Sequence, residues 1–272
     1  MTAATLGLAF PPTDDPLMTQ VLLALSRWVT PRHADPDESV GAWFVTDGTD
    51  PGLVGAGPVI VWSRSAAAGW PGQVGVVAAP GRAPSSGDAT GWVTVPEPGV
   101  DALATPYVPP LLRRRWRQRL RLPDAMVVAL DSPSPTDHSD ETRHLELAVS
   151  AVATGRGNAV LAALAHGLPL VTDSATAHGL GLGDAAVVAE VRDFAATATR
   201  LATSEERMAV LAWRGRTLVE ERFDIARAAW RLLRAVLGAH ALRDDTFGVS
   251  SLLSDLWTPP RAALEIAHAI EG

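Results

Sequence analysis

A glycine-rich turn ahead of an apolar run is the part of this sequence best suited to bind an anion. Residues 154–158, called the binding turn below, read TGRGN. Gly155 and Gly157 permit backbone angles that other residues avoid, and Asn158 is a favoured residue for capping a helix. The unpaired amides and positive dipole end of the following helix, beside Arg156, would suit a phosphate or carboxylate.

The residues after the binding turn predict the elements that hold it in place. Residues 159–165 are apolar on every side, which is typical of a buried helix. Gly167 can supply the left-handed residue that ends this helix, and Pro169 prevents the helix from resuming. Residues 170–172 then form a short apolar run, so we predict one loop, helix and strand unit.

A second glycine-rich segment, AHGLGLGD, occupies residues 177–184. Its polar members, His178 and Asp184, could line the same cleft as the binding turn. Three glycines with no following helix are weak evidence for phosphate binding, and an ordinary loop is the simpler interpretation.

Two clusters of acidic and histidine residues raise the question of a metal or acid-base site. For Asp14 and Asp15, a loop that caps the next helix is the simpler interpretation. His138 and His144 are six positions apart, whereas metal ligands on one helix usually lie three or four apart. We therefore predict no metal site and assign no catalytic residue.

A predicted helix carries six arginines between Arg113 and Arg121. Leu112, Trp116 and Leu120 recur every fourth residue and predict its buried seam. The arginines could bind a diphosphate or attach the chain to acidic lipid at a membrane surface. Because charge runs usually cover exposed helix faces, we favour a solvated face.

The composition narrows the class of protein. A chain of 272 residues can form one large or two small domains, and we expect two. It has no cysteine, no basic segment at its N-terminus and no apolar run long enough to span a bilayer, so we expect a cytoplasmic protein. A formal net charge of -7 argues against a general nucleic-acid binder. All 23 basic residues are arginines, a bias that weakens any single arginine as a functional signal.

The order of these motifs resembles the donor side of family 4 glycosyltransferases, whose two facing Rossmann-like halves form the GT-B fold. The family pattern reads roughly E-G-F-G-L-P-V-L-E-A-M-A-C-G-V-P-V-V, and residues 154–171 keep its glycines and spacing. Similar segments are VPEPGVD at residues 95–101, the strand predicted at residues 126–130, and ERFD at residues 221–224.

The resemblance implies an α/β fold with two Rossmann-like lobes that is GT-B-like and shortened. We expect an N-terminal lobe over residues 1–109, a nucleotide-sugar lobe over residues 110–240, and a tail with a closing helix over residues 241–272. A nucleotide-diphosphate sugar is the implied donor, with no further cofactor. The residues implied in donor or phosphate binding are Thr154, Gly155, Arg156, Gly157, Asn158 and His178.

Several functional groups of the family are absent. Asp14 and Asp15 replace its paired glycines, Thr154 and Ala162 replace its two glutamates, and its histidine and its Gly-Arg pair are also missing. These losses imply a degenerate donor site. They favour a weakly active or non-catalytic partner in glycan assembly, so enzyme activity stays undecided.

An active glycosyltransferase, holding its donor by backbone amides and Arg156, is the open alternative. A hydrolase is disfavoured because the sequence has no nucleophile motif.

Overall fold

The computed structural model describes residues 5–9, 15–46, 49–55, 58–63, 74–80, 92–123, 127–130, 145, 148–155 and 157–241. The described residues divide into two compact units, one within residues 1–101 and 224–241 and the other within residues 102–223. Each unit contains its own parallel β-sheet. The predicted α/β class with two Rossmann-like lobes is therefore confirmed.

Helices and strands alternate over residues 150–202, as expected for a parallel sheet, whereas five strands follow one another between residues 30 and 97 with no α-helix described between them. In chain order the elements are β1 (Thr5–Leu8), α1 (Pro16–Leu25), β2 (Thr30–His33), β3 (Ala42–Thr46), β4 (Val59–Ser63), β5 (Val74–Pro80), β6 (Trp92–Glu97), α2 (Pro110–Leu120), β7 (Val127–Leu130), β8 (Ser150–Ala153), α3 (Asn158–Ala165), β9 (Leu170–Thr172), α4 (Ser174–Leu180), β10 (Ala186–Val188), α5 (Phe194–Ala202), α6 (Glu205–Arg222) and α7 (Ile225–Ala241).

The sheet of the first unit has six strands in the order β2-β1-β3-β4-β5-β6. Chain order reverses at β1, because β2 lies on one side of it and β3 on the other. Strand β2 has the sequence TPRH, which carries no apolar strand signal. Its polar residues and Pro31 are tolerated because β2 is an edge strand, with three of its four residues exposed.

Helix α7 packs in the first unit, although the sequence analysis assigned residues up to 240 to the second lobe. The Asp224 carboxylate caps this helix by accepting from the Ala226 amide at 2.9 Å. The Ile225 amide donates to the Val100 carbonyl at 3.0 Å. The helix continues past Gly238 to Ala241.

The sheet of the second unit has four parallel strands in the order β10-β9-β8-β7. Strand β8, SAVA, was not predicted, because its small residues carry no clear strand signal. Helix α3 is buried, as its all-round apolar sequence predicted, and the predicted left-handed residue is found at Gly167 with φ +74°. A Cβ at Gly167 would also lie 2.4 Å from the Tyr107 ring, so both the backbone conformation and the packing favour glycine there.

Two arginines of α2 lie in the interior, which corrects the prediction of a solvated arginine face. Arg113 and Arg117 are each 1% exposed, whereas Leu120 of the predicted apolar seam is 57% exposed. The other four of the six arginines are exposed on α2 and at its end, as a solvated face requires. No helix in the described ranges is both long and apolar enough to cross a membrane.

Arg113 is buried because its guanidinium satisfies backbone carbonyls that no apolar side chain could. Its Nε donates to the Val108 carbonyl at 2.9 Å, and its terminal nitrogens donate to the carbonyls of Leu145, Ala148 and His166. Hydrogen bonds from a charged donor in a dry environment are among the stronger ones in proteins.

We predict that Arg113→Ala lowers the free energy of unfolding by about 3 to 5 kcal/mol, because it leaves several buried carbonyls without a donor. Urea unfolding followed by circular dichroism measures the loss. Arg119→Ala, on the exposed face of the same helix, is the matched control and should change stability by no more than about 0.5 kcal/mol. Equal losses in the two variants would contradict the structural role of Arg113.

Candidate functional site

The binding turn lies at the carboxyl end of β8, where the chain leaves the sheet and enters α3. Carboxyl ends of parallel strands share one edge of a sheet, and that edge is where α/β proteins bind ligands. Gly155 has φ +91°, so the conformational freedom of glycine is used there. Gly157 has φ −132°, an extended conformation open to any residue.

The amino end of α3 carries no side-chain cap in the described residues. Asn158 was predicted to be the N-cap, but it is the first residue of the helix and Gly157 occupies the cap position. Without a side-chain acceptor at the cap, the first-turn amides keep their hydrogen-bonding capacity for another partner. Thr154 and Asn158 are exposed at the surface around these amides. Arg156 lies outside the described residues, so its predicted contribution is untested.

A polar network missing from the sequence predictions joins the binding turn to the next strand. The Gly155 amide donates to Thr176 Oγ1 at 2.7 Å. Asp173, which follows β9, caps α4 by accepting from the Thr176 amide at 2.9 Å and from the Thr176 hydroxyl at 2.7 Å. The hydrogen bonds to Thr176 hold the pKa of the Asp173 carboxyl below its usual range. The available sequence signal was Asp173 itself, since aspartate is a favoured residue at the start of a helix.

The carboxyl end of α3 is satisfied in full, in contrast to its amino end. Backbone amides bond the carbonyls of Ala162, Ala163 and Leu164. Arg216 donates to the last helical carbonyl, Ala165, at 2.7 Å, and Arg113 donates to the carbonyl of the cap residue His166. Two cations therefore lie at the negative end of the helix dipole, which is the favourable arrangement.

Arg216 also ties the carboxyl end of α3 to the chain that enters the second unit. It donates to the carbonyls of Thr105 at 2.8 Å and Ala102 at 2.7 Å, and it pairs with Glu220 at 2.5 Å. The hydrogen bonds are specific in direction, so they fix where α3 begins and ends relative to the sheet.

His166, beside the two arginines, is kept neutral. Burial is the main cause that lowers its pKa to about 4, and repulsion from Arg113 adds to the effect. A hydrogen bond with the Pro106 carbonyl acts in the opposite direction and is outweighed. At neutral pH the positive charge at the carboxyl end of α3 is therefore carried by Arg113 and Arg216 and not by His166.

His178, the remaining predicted site residue, lies near the end of α4 and is exposed. The segment around it is a helix rather than the predicted loop, and it ends at Gly181 with φ +59°. Asp184 pairs with Arg214 at 2.7 Å. In the described structure no hydrogen bond joins His178 to the binding turn.

The described ranges contain no group of three or more histidine, cysteine or acidic residues able to hold a metal ion. Asp15 caps α1, accepting from the amides of Leu17 at 3.0 Å and Met18 at 3.2 Å, as the sequence analysis favoured. Its other oxygen accepts from Trp62 Nε1 at 3.1 Å. Residues 137–144 lie outside the described residues.

A cavity of about 550 Å³ lies in the first unit at the carboxyl ends of β1, β2 and β3. It lies where the strand order reverses, the usual ligand position in open α/β sheets. Its polar side chains are those of His33, Asp35, Glu38, Thr46, Thr49 and Asp50.

We predict that His166 makes the second unit sensitive to acid. Its pKa of about 4 lies below the usual value of 6.5, so the unfolded chain takes up a proton between these values and the folded chain does not. Stability should be full above pH 6.5 and fall as the pH approaches 4. The lowered pKa of His166 should reduce the free energy of unfolding by about 3 kcal/mol between pH 6.5 and a pH below 4.

Urea unfolding at several pH values tests this, because the difference between wild type and His166→Gln isolates His166 from the carboxylates. The pH dependence should flatten in His166→Gln and stay unchanged in the control His178→Gln, which alters an exposed histidine of the same unit. Parallel curves for wild type and His166→Gln would refute the prediction.

No protein-family model matches the sequence, and comparison with curated proteins finds no match. Among solved structures, the HepE protein of Anabaena in complex with UDP is similar over 86% of this chain and 99% of its own, with 10% identity and a TM-score of 0.46. WaaG, a glycosyltransferase involved in lipopolysaccharide biosynthesis, is similar over 88% and 100%, with 9% identity and a TM-score of 0.41. AviGT4, a glycosyltransferase involved in avilamycin A biosynthesis, is similar over 87% of this chain and 99% of its own, with 12% identity and a TM-score of 0.39.

Proposed function

We propose that the chain is a glycosyltransferase-like protein whose binding turn holds the diphosphate of a nucleotide sugar. One observation carries the proposal: α3 begins at a glycine without a side-chain cap, at the carboxyl edge of a parallel sheet. The first-turn amides and the positive end of the helix dipole suit a phosphate. Arg156, next to these amides in sequence, is expected to add charge.

The same residues support weak transfer activity or none. Thr154 and Ala162 stand where the resembling family has its glutamates, and neither side chain can hold ribose hydroxyls as a carboxylate does. We therefore propose a weakly active or non-catalytic partner in glycan assembly. The alternative is an active glycosyltransferase that holds its donor through backbone amides and Arg156, without the ribose carboxylate.

A partner role has one further support in the second unit. Val210 and Trp213 of α6 are 40% and 62% exposed and lie three residues apart, on one face of the helix. Large exposed apolar side chains that lie together are typical of protein contacts.

For the active alternative, we place the acceptor in the cavity of the first unit, at the carboxyl ends of β1, β2 and β3.

We predict that Gly157→Asp abolishes nucleotide binding while keeping or raising stability. A carboxylate at the cap position would accept from the first-turn amides and repel a diphosphate. The residue fits, because the backbone there is extended and a Cβ would come no closer than 3.9 Å to its nearest recorded neighbour. Calorimetric titration with UDP and GDP measures binding, and thermal unfolding measures stability.

Gly157→Asn is the matched control, since it adds a capping side chain without charge. Binding should weaken in the order wild type, Gly157→Asn, Gly157→Asp, and Arg156→Ala should also weaken it. Wild-type protein that binds neither nucleotide at millimolar concentration, or Gly157→Asp protein that binds as well as wild type, would overturn the proposed site.

Release of free nucleotide from UDP- and GDP-sugars separates the two forms of the proposal. A non-catalytic partner should bind and release none, with or without added acceptor glycans. Turnover that disappears in Gly157→Asp would establish the active alternative.

A further inference from the structure

We propose that Asp173 and Thr176 are positioning residues, which hold Gly155 so that the first-turn amides of α3 face an anion. This inference rests on the proposed function of the binding turn. It adds a clamp, defined as Asp173, Thr176 and the hydrogen bonds that join them to Gly155, as the device that shapes the turn.

The contacts of the clamp have a fixed direction. The Thr176 hydroxyl donates its only proton to Asp173 Oδ2 at 2.7 Å, so its oxygen accepts the Gly155 amide, also at 2.7 Å. The Thr176 amide donates to Asp173 Oδ1 at 2.9 Å, which orients the carboxylate. Thr176 is only 2% exposed, so water has little access to replace these bonds.

The clamp acts on Gly155, the residue of the binding turn whose backbone conformation favours glycine. Gly155 has φ +91° and no Cβ, so its conformation must be fixed by contacts of its backbone. The bond to Thr176 spans 21 residues and connects the chain after β8 to the helix after β9. It therefore aligns the turn with the neighbouring strand rather than with its own helix.

The clamp also decides which amides a ligand can use. The Gly155 amide is already bonded to Thr176, so the donors for an anion are those that begin α3, at Gly157, Asn158 and Ala159. A phosphate would thus bind at the start of α3, while the hydrogen bond to Thr176 keeps the backbone of Gly155 in one conformation.

Thr176→Val tests the clamp, because valine keeps the shape of threonine and removes the hydroxyl. UDP binding should weaken about three- to tenfold, the effect of one neutral hydrogen bond. Thr176→Ser, which keeps the hydroxyl, should bind as wild type does. Hydrogen exchange of the Gly155 amide, followed by NMR, should accelerate in Thr176→Val before any ligand is added.

Thr172→Val is the matched control. Thr172 is also buried, and its hydroxyl donates to the Ala153 carbonyl at 2.7 Å, just before the turn. This variant loses one buried hydrogen bond but leaves the Gly155 amide bonded. It should lose stability as Thr176→Val does and keep both UDP affinity and Gly155 protection.

The outcomes separate the clamp from the proposed function. If wild type binds UDP and Thr176→Val binds it equally well, or Thr172→Val weakens it as much, the clamp is refuted and the nucleotide site stands. If wild type binds neither UDP nor GDP, the proposed function fails and the positioning role for an anion fails with it. Asp173→Asn combined with Thr176→Val should weaken binding by less than the product of the single effects, because the two residues act as one unit.

Discussion

The carboxyl end of α3 is the fixed point on which the second unit depends. A helix leaves its last four carbonyls without intrahelical partners, and a buried carbonyl without a donor is costly. Here Arg113 and Arg216 supply donors to His166 and Ala165. Arg216 extends the same contact to the chain at Thr105, so the entry into the unit, the helix end and α6 are held together. The position of the binding turn, at the other end of an eight-residue helix, follows from this anchor.

Much of this unit could be predicted from the sequence, because its signals are local. An apolar run closed by Gly167 specifies a buried helix and its end, and the structure contains both. The burial of Arg113 could not be predicted, since its carbonyl partners at Leu145 and His166 lie 32 and 53 residues away. A run of arginines is ordinarily solvated, and only the folded backbone reveals the carbonyls that make burial favourable.

The candidate site divides in the same way. The sequence placed the binding turn correctly at the start of a buried helix, but it did not predict β8 before the turn, and it assigned the cap to Asn158 where the structure has Gly157. One residue decides whether the first-turn amides have a side-chain acceptor. The Thr176 bond to Gly155 could not be predicted either, because it depends on β8 and β9 being neighbours in the sheet. Single-sequence patterns give helix periodicity but not strand order.

Gly157 leaves the amino end of α3 without a side-chain cap, and its environment shows whether the structure requires a glycine there. Its backbone is extended and has room for a side chain, so neither torsion nor packing demands glycine. Stability gives no reason either, since an asparagine or aspartate there would cap the helix by a few tenths of a kcal/mol more than glycine. What glycine offers is access, because any capping side chain would occupy the amides that a phosphate would use. Asp173 and Asp224 cap their own helices, whereas α2, α5 and α6 begin, like α3, without a side-chain cap. Among the described helices, α3 differs in having glycine at the cap position, so no side chain there covers the first-turn amides.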